Sequence, residues 1–131
     1  MLKVHQNVGS LIDWYNIQFY NRKPYSSAVT QIYLPLFFLE GTTEYTSCTG
    51  LLTKSSSAWP QTSLFEIAAS GVPLNKIVIG KPATASDASS GFVAPSTLAG
   101  CIWQAKQRGW NGGIMVWEVC ASCLYSLWGR S

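Results

Sequence analysis

Two short apolar segments separated by a helical pattern constrain the fold of this chain most strongly. Residues 77–80 and 112–117 are almost unbroken in apolar character, which is typical of strands buried on both faces. Between them, apolar side chains at helical spacing predict one buried helix face: Leu98, Cys101, Ile102 and Ala105. Ser96 or Thr97 can cap this helix, and Gly109 can end it. The pattern predicts a β-α-β unit with parallel strands and a right-handed crossover.

The first half of the chain extends this alternation of strands and helices. Residues 11–21 are rich in aromatic and branched side chains and predict another strand, whereas the polar residues 41–57 predict a loop. A further helix is expected between Pro60 and Gly71. Its expected apolar face consists of Leu64, Ile67 and Ala68. The order is typical of an α/β protein, either a barrel or a doubly wound sheet.

Composition and charge exclude several classes of function. The net charge of the 131 residues is only +3, and the lysines and arginines are scattered, so no basic surface for nucleic acid is expected. The apolar run at residues 32–39 is far shorter than the roughly 20 residues that span a bilayer, so no membrane contact is expected. Residues 1–7 contain no apolar signal region, and export of the chain as written is not expected.

Residues 13–21, 76–83, 91–98 and 112–118 together resemble the last part of a fungal chitinase of glycoside hydrolase family 18. That family folds as an eight-stranded TIM barrel, and the matching segments correspond to strands six, seven and eight. The resemblance therefore implies an α/β fold, a partial TIM (β/α)8 barrel of about three β/α units with open sheet edges. It implies that residues 1–131 are the C-terminal part of a catalytic barrel.

The resemblance also implies a substrate and a set of binding residues. The family hydrolyses β-1,4-linked N-acetylglucosamine with retention, and the acetamido oxygen of the substrate attacks the anomeric carbon. Gln18, Tyr20 and Asn21 match the strand-six motif, and Trp117 matches the tryptophan that ends strand eight. In the family, this tyrosine donates to the acetamido carbonyl and the tryptophan lies under the reacting sugar. These four residues are the expected binding residues for chitin or N-acetylglucosamine oligosaccharides.

The proton donor of the family is missing from this sequence. It is a glutamic acid in an Asp-x-x-Asp-x-Asp-x-Glu run on strand four, whereas the only aspartates here are Asp13 and Asp87. Glu118 follows a strand, but this is strand eight. We therefore expect a chitinase fragment that is inactive alone, with no catalytic residue, metal or cofactor, and leave open whether the chain is an enzyme. The alternative is a non-catalytic chitin-binding protein of the same fold.

The cysteines and the histidine allow other interpretations. Cys120 and Cys123 form a C-x-x-C motif, which can be redox-active or half of a zinc site. A small redox protein is therefore a third alternative. Cys48 and Cys101 could form a disulfide in a secreted protein, but their spacing does not decide this. His5 is expected to be a solvated residue.

Several other side chains have two possible roles. Tyr20 and Trp117 could be core aromatics if the resemblance is set aside. Lys81 and Asp87 either border a sugar subsite or belong to a solvated loop. Packing or rim positions are expected for the remaining tryptophans: Trp14, Trp59, Trp103, Trp110 and Trp128.

An incomplete barrel has consequences for stability. Open sheet edges allow the chain to self-associate by edge pairing. Inner-face side chains are expected to lack packing partners in such a piece: Ile17, Phe19, Ile79 and Met115.

Residues 22–40 interrupt the resemblance. Family members continue from the strand-six Tyr-Asn through a single residue, typically Gln, into Gly-Thr-Thr-Glu-Tyr. Arg22-Lys23 can be encoded by CGT-AAG, which contains the splice donor GTAAG. Leu39-Glu40 can be encoded by TTA-GAG, which contains the acceptor TAG. Excision would restore the Gln, and we interpret residues 22–40 as a translated intron.

Residues 119–131 also depart from the family, which continues past Trp117 into a polar and aromatic segment and a closing helix. Val119-Cys120 can be encoded by GTA-TGT, again a donor sequence. We interpret this tail as aberrant read-through to a stop codon and Met1 as an internal start. The intact family member is expected to be extracellular.

The spliced transcript tests both interpretations. We expect the mature message to lack the codons for residues 22–40 and to diverge from this sequence after Glu118. Sequencing the transcript from cells that express the gene provides the measurement. A message that retains both segments would contradict the intron and read-through interpretations.

Overall fold

The structure is a computed structural model that describes residues 2–21 and 44–118. The proposed intron, residues 22–40, and the proposed tail, residues 119–131, lie outside the described residues. The C-x-x-C motif of Cys120 and Cys123, together with Trp128, lies outside them too, so the redox alternative stays a prediction.

Four α-helices and three β-strands make up the described part of the chain. The helices are α1 (Leu2–Val8), α2 (Cys48–Leu52), α3 (Leu64–Ala69) and α4 (Pro95–Gln107). The strands are β1 (Tyr15–Gln18), β2 (Ile77–Pro82) and β3 (Ile114–Trp117). Short 3-10 turns lie at Gly9–Leu11, Leu74–Lys76 and Ala85–Asp87.

The three strands form one parallel sheet in the order β1-β2-β3. Ile17 pairs with Ile79, and Ile79 pairs with Ile114, so equivalent positions of successive strands lie side by side. Helices α2 and α3 connect the first two strands and α4 connects the last two, as a parallel sheet requires. The predicted α/β arrangement is confirmed, and within the described residues β1 and β3 each pair on one side only. Closure into a barrel stays a prediction.

The core lies between one face of the sheet and helices α2, α3 and α4. Because side chains alternate along a strand, this face receives Ile17, Phe19 and Ile79, whose exposed fractions are 7%, 1% and 0%. The expectation that these residues lack packing partners was wrong, since the helices of the described chain cover them. Met115 lies on the opposite face beside Gly80 and is half-buried.

Helix α4 begins two residues earlier than a cap at Ser96 would allow. Ala94 is its N-cap and Pro95 its first residue, so neither Ser96 nor Thr97 caps it. Proline is common at the first position of a helix. Its ring fixes φ near the helical value, and the N–H that it lacks would have no partner within the helix there.

The end of α4 follows the prediction. Gly109 has a φ of +86°, its N–H donates to the Lys106 carbonyl, and the Trp110 N–H donates to the Ala105 carbonyl. This is a Schellman motif, in which glycine accepts the left-handed conformation that other residues resist. It turns Trp110 into the core, where the indole N–H donates to the Ile77 carbonyl at 2.8 Å.

Helix α2 occupies part of the segment that was expected to be a loop. The Ser47 side chain caps it by accepting from the Gly50 N–H at 3.1 Å. Cys48 forms a disulfide with Cys101 of α4, with 5.0 Å between the two Cα atoms. In the chain-entropy description, closing a loop of 53 residues removes about 4 kcal/mol of conformational freedom from the unfolded state at 25 °C. The disulfide thus fixes two helices that cover the same core.

Helix α3 begins at Leu64, not at Pro60, because a capping box at Ser63 and Glu66 supplies the first-turn N–H groups with partners. The predicted apolar face is confirmed, since Leu64 and Ile67 are buried and Ala68 packs against the core.

Two further expectations are settled by burial. His5 is half-buried and its Nδ1 lies 2.9 Å from the Tyr15 hydroxyl, so the expectation of a solvated histidine was wrong. Trp110 is a packing residue, whereas Trp14 and Trp103 are exposed by 59% and 64%. None of the helices in residues 2–21 and 44–118 is long and apolar enough to cross a bilayer.

Glu66 connects the start of α3 to the preceding loop. Its Oε2 accepts hydrogen bonds from the N–H and the hydroxyl of both Ser55 and Ser63. Burial by itself raises the pKa of Glu66, but the four hydrogen bonds outweigh it and lower the pKa from 4.5 to about 2.

The Glu66 charge makes a pH-dependent contribution to stability. We expect Glu66→Gln to lower the free energy of unfolding at neutral pH by about 1 kcal/mol, as loss of a helix cap does. The wild-type contribution is full above pH 4.5 and disappears as the pH falls to about 2, so the difference should shrink across this interval. Urea unfolding at a series of pH values measures it, with the exposed Asp13→Asn as control. A difference independent of pH would contradict the assignment.

Candidate functional site

The candidate site lies on the sheet face opposite the core, at the carboxyl ends of the strands. Gln18, Gly80 and Met115 form one row across the three strands, and Pro82 pairs with Trp117 in the next row. Parallel strands place all their carboxyl ends at one edge of the sheet, and this edge carries the chemistry of α/β folds. The sheet therefore brings Gln18 and Trp117, predicted on different strands, to one face and one edge.

Tyr20 follows β1 at the same edge and is 5% exposed. The backbone of Gly91 packs against it so closely that a Cβ at Gly91 would lie 2.6 Å from the Tyr20 Cα. Gly91 also has a φ of +85°, so only glycine fits without strain. Burial raises the pKa of Tyr20, and the phenol therefore keeps its proton and can donate a hydrogen bond.

Asn21 links the end of β1 to the loop that follows β2. Its Oδ1 accepts from the Ser89 N–H at 2.7 Å and the Ser89 hydroxyl at 3.0 Å, and its own N–H donates to the Ser90 carbonyl at 3.2 Å. Its φ is +55°, a conformation that asparagine adopts more readily than most residues. The side-chain oxygen is thus engaged by the loop, which holds the loop beside Tyr20.

Trp117 is the last residue of β3 and is half exposed, at 50%. Its carbonyl accepts from the Ala83 N–H, which fixes its backbone to the end of β2. The peptide bond between Trp117 and Glu118 is cis. An anchored backbone with a large exposed apolar ring is a suitable platform for a ligand with apolar faces.

Lys81 has a role that the sequence did not reveal. It is 1% exposed, so neither of its expected positions, at a sugar subsite or in a solvated loop, is correct. Its Nζ donates to the carbonyls of Phe19 at 2.9 Å, Tyr45 at 2.8 Å and Gly91 at 2.7 Å. Burial lowers the pKa of Lys81 to about 7. The available signal was its position in β2, where alternation places it on the same face as Ile77 and Ile79.

Three of the described carboxylates have backbone partners within the fold. Glu44 is 5% exposed and accepts from the Ser56 N–H at 3.2 Å, and Glu66 caps α3. Asp87 accepts from the Thr84 N–H at 2.7 Å, so it stabilises the turn after β2. Asp13 and Glu118 are exposed. In the described ranges, no three side chains of His, Cys, Asp or Glu are placed to bind a metal together.

An open groove lies elsewhere in the fold. It has a volume of about 440 Å³ and is lined by residues from α1, β1 and α3, among them Leu2, Ile17 and Ile67. Ile17 belongs to the core face of the sheet, so this groove lies on the side of the sheet opposite the candidate site.

Comparison with known proteins shows a likeness in fold. No protein-family model matches the sequence, and no curated protein matches it significantly. The fold resembles that of a GH18 chitinase. A crystal structure of a GH18 chitinase from Pseudoalteromonas aurantia superposes with a TM-score of 0.54 and 26% sequence identity over 89% of this chain. This chain covers 33% of the length of that chitinase. The expectation of a fungal relative stays a prediction.

Asn21 provides a test of the site's internal connections. We expect Asn21→Ala to lower the free energy of unfolding by about 1–2 kcal/mol, because Ser89 loses its acceptor and alanine is less tolerant of positive φ. Asn21→Asp keeps an acceptor oxygen in place and should stay closer to wild type. Hydrogen exchange at the Ser89 amide reports the local change. Equal protection of this amide in the alanine variant would contradict the assignment.

Proposed function

We propose that this chain is the C-terminal part of a glycoside hydrolase family 18 barrel and that its candidate site binds N-acetylglucosamine oligosaccharides. One observation carries the proposal: a fold similar to a chitinase has Tyr20 and Trp117 at the carboxyl edge of a single parallel sheet. The likeness covers a third of the chitinase, so substrate and activity are inferred for the intact protein.

The chemistry of the site suits an acetylated sugar. A pyranose ring presents apolar C–H faces, which can stack on the exposed indole of Trp117. The protonated phenol of Tyr20 can donate to an acetamido carbonyl. Gln18 is exposed on the same face, and its amide can both donate and accept. Asn21 is proposed to contact the sugar and also to position the loop after β2, because its side-chain oxygen accepts from the Ser89 N–H in that loop.

The chain by itself is proposed to be catalytically inactive. In the intact family, an acid protonates the leaving group while the acetamido oxygen attacks, and a positioned general acid contributes roughly 10²- to 10⁴-fold to the rate. The sequence has no Asp-x-x-Asp-x-Asp-x-Glu run to supply this acid. The described carboxylates of Glu44, Glu66 and Asp87 are engaged by backbone N–H groups.

We further propose that the intact protein works outside the cell. The disulfide between Cys48 and Cys101 supports this, because structural disulfides persist in oxidising compartments and are rare in the cytosol.

A non-catalytic chitin-binding protein of the same fold is the second candidate. It is favoured because the carboxylates of Glu44, Glu66 and Asp87 accept hydrogen bonds from backbone N–H groups and so stabilise the described fold. Sequencing the genomic locus upstream distinguishes the two, since only the chitinase interpretation requires the acidic run to be encoded there.

Trp117 provides the test of binding. We expect Trp117→Ala to weaken binding of N-acetylglucosamine oligomers by about tenfold or more, because the variant loses the stacking surface. Isothermal calorimetry with the full chain measures the affinity. Trp103→Ala is the matched control, since Trp103 is also exposed but lies on α4, and it should stay within about twofold of wild type. Equal effects of the two substitutions would contradict the site, as would a wild-type chain that does not bind.

The inactivity of the chain is tested separately. Purified protein incubated with fluorescently labelled chitin oligomers should release no product above the rate of a blank. Turnover that disappears on Glu118→Gln would overturn the proposal and identify an acid within this chain.

A further inference from the structure

The ammonium group of Lys81 is the least expected polar group in the fold. It projects from the central strand β2 on the face occupied by Ile77 and Ile79, where an apolar side chain is the norm. Burying an ammonium is costly unless hydrogen bonds offset the loss of water. Here each of the three N–H donors of the ammonium has a partner, since three carbonyl oxygens lie within 2.9 Å.

The three carbonyls come from three separate segments that meet on the core side of the candidate site. Phe19 directly precedes Tyr20, Tyr45 precedes α2, and Gly91 lies in the loop between β2 and α4. Lys81 therefore reaches the Tyr20 backbone in two ways. It donates to the carbonyl of Phe19, which precedes Tyr20, and to the carbonyl of Gly91, whose backbone packs against the Tyr20 Cα.

The strand ladder does not hold Tyr20 in place. Its last bond at this end of β1 is from the Phe19 N–H to the Gly80 carbonyl, at 3.1 Å. Beyond it, the chain enters the left-handed turn of Asn21, whose N–H donates to Ser90 in the same loop that Lys81 holds. The direction of the Tyr20 side chain thus depends on where this loop lies.

We propose that Lys81 is a positioning residue for sugar recognition, whose ammonium group bonds the end of β1 to the loop after β2 and so orients Tyr20 and Asn21. This rests on the proposed function. Lys81 does not contact the ligand. An apolar residue at this position would fill the core but would remove the Lys81 hydrogen bonds to the three carbonyls, and with them a connection between the loop and β1.

Lys76 offers a matched control within the same chain. Its Nζ also donates to backbone carbonyls, those of Gly9 at 2.7 Å and Ile12 at 2.6 Å. It lies immediately before β2, so these bonds are at the opposite end of the sheet from the candidate site. Lys76→Met and Lys81→Met both remove a lysine that joins separated backbone segments, but only the second acts next to Tyr20.

The experiment compares the two variants with wild type at about pH 6, below the Lys81 pKa of about 7, so that the wild-type ammonium keeps its three donors. In Lys81→Met, hydrogen exchange at the Asn21 amide should accelerate about tenfold or more, and N-acetylglucosamine oligomer affinity should fall by a similar factor. The ring resonances of Tyr20 should shift. In Lys76→Met, the free energy of unfolding should fall. The affinity for the oligomers and the Tyr20 ring resonances should stay at wild-type values, as should the exchange rate of the Asn21 amide once it is corrected for global unfolding.

Each outcome decides the proposal. Equal changes at Asn21 and Tyr20 in both variants would overturn it, because the effect would then be general destabilisation. If Lys81→Met does not fold, Lys81→Gln, which keeps amide donors, takes its place. Loss of the whole fold in both Lys81 variants would also overturn it, since Lys81 would then support the core and not the site. If wild type binds no oligomer, the proposed function fails, and the Asn21 exchange and the Tyr20 resonances still decide the role of Lys81.

Discussion

The parallel pairing of β1, β2 and β3 in a single register is the constraint on which the rest of the fold depends. It places Ile17, Ile79 and Ile114 side by side, and alternation then assigns every neighbouring residue to one of two faces. One face is covered by helices and forms the core. The other carries Gln18, Gly80, Met115 and Trp117. A shift of one residue would exchange the faces and bury polar groups without partners, so burial of the core also fixes the site.

The helices that cover the core are held by local devices as well as by packing. A capping box begins α3, a Schellman motif ends α4, and the disulfide between Cys48 and Cys101 joins α2 to α4. These features act on different states of the chain. Caps give partners to backbone groups in the folded state, whereas the disulfide restricts the unfolded chain. Together they account for a buried core in a chain that covers a third of the length of a similar chitinase. Ile114 and Val116, on the core-side face of β3, are nevertheless 45% and 49% exposed, so the described residues cover that face only up to β2.

The candidate site combines an exposed aromatic ring with a buried polar support. Trp117 can offer a stacking surface because its backbone is bonded to Ala83, while Tyr20 and Asn21 follow the ladder and depend on the loop after β2. Lys81 connects these parts from the core side. In the proposed site, hydrogen bonds on the core side position the backbone, and the exposed ring of Trp117 supplies a contact surface.

The sequence by itself determined the three parallel strands, the apolar faces of α3 and α4, the glycine that ends α4 and the residues that resemble a chitinase motif. These follow from periodicity and local backbone preferences, which act over a few residues and can be read along the chain. Only the tertiary structure decided that Lys81 is buried, that His5 bonds to Tyr15, that Cys48 pairs with Cys101, and that a helix lies within the polar segment before α3. The first three depend on contacts that are set by how strands and helices pack and not by a local pattern. Helix α2 has a local cap at Ser47, but its place against the core is fixed by the disulfide to α4.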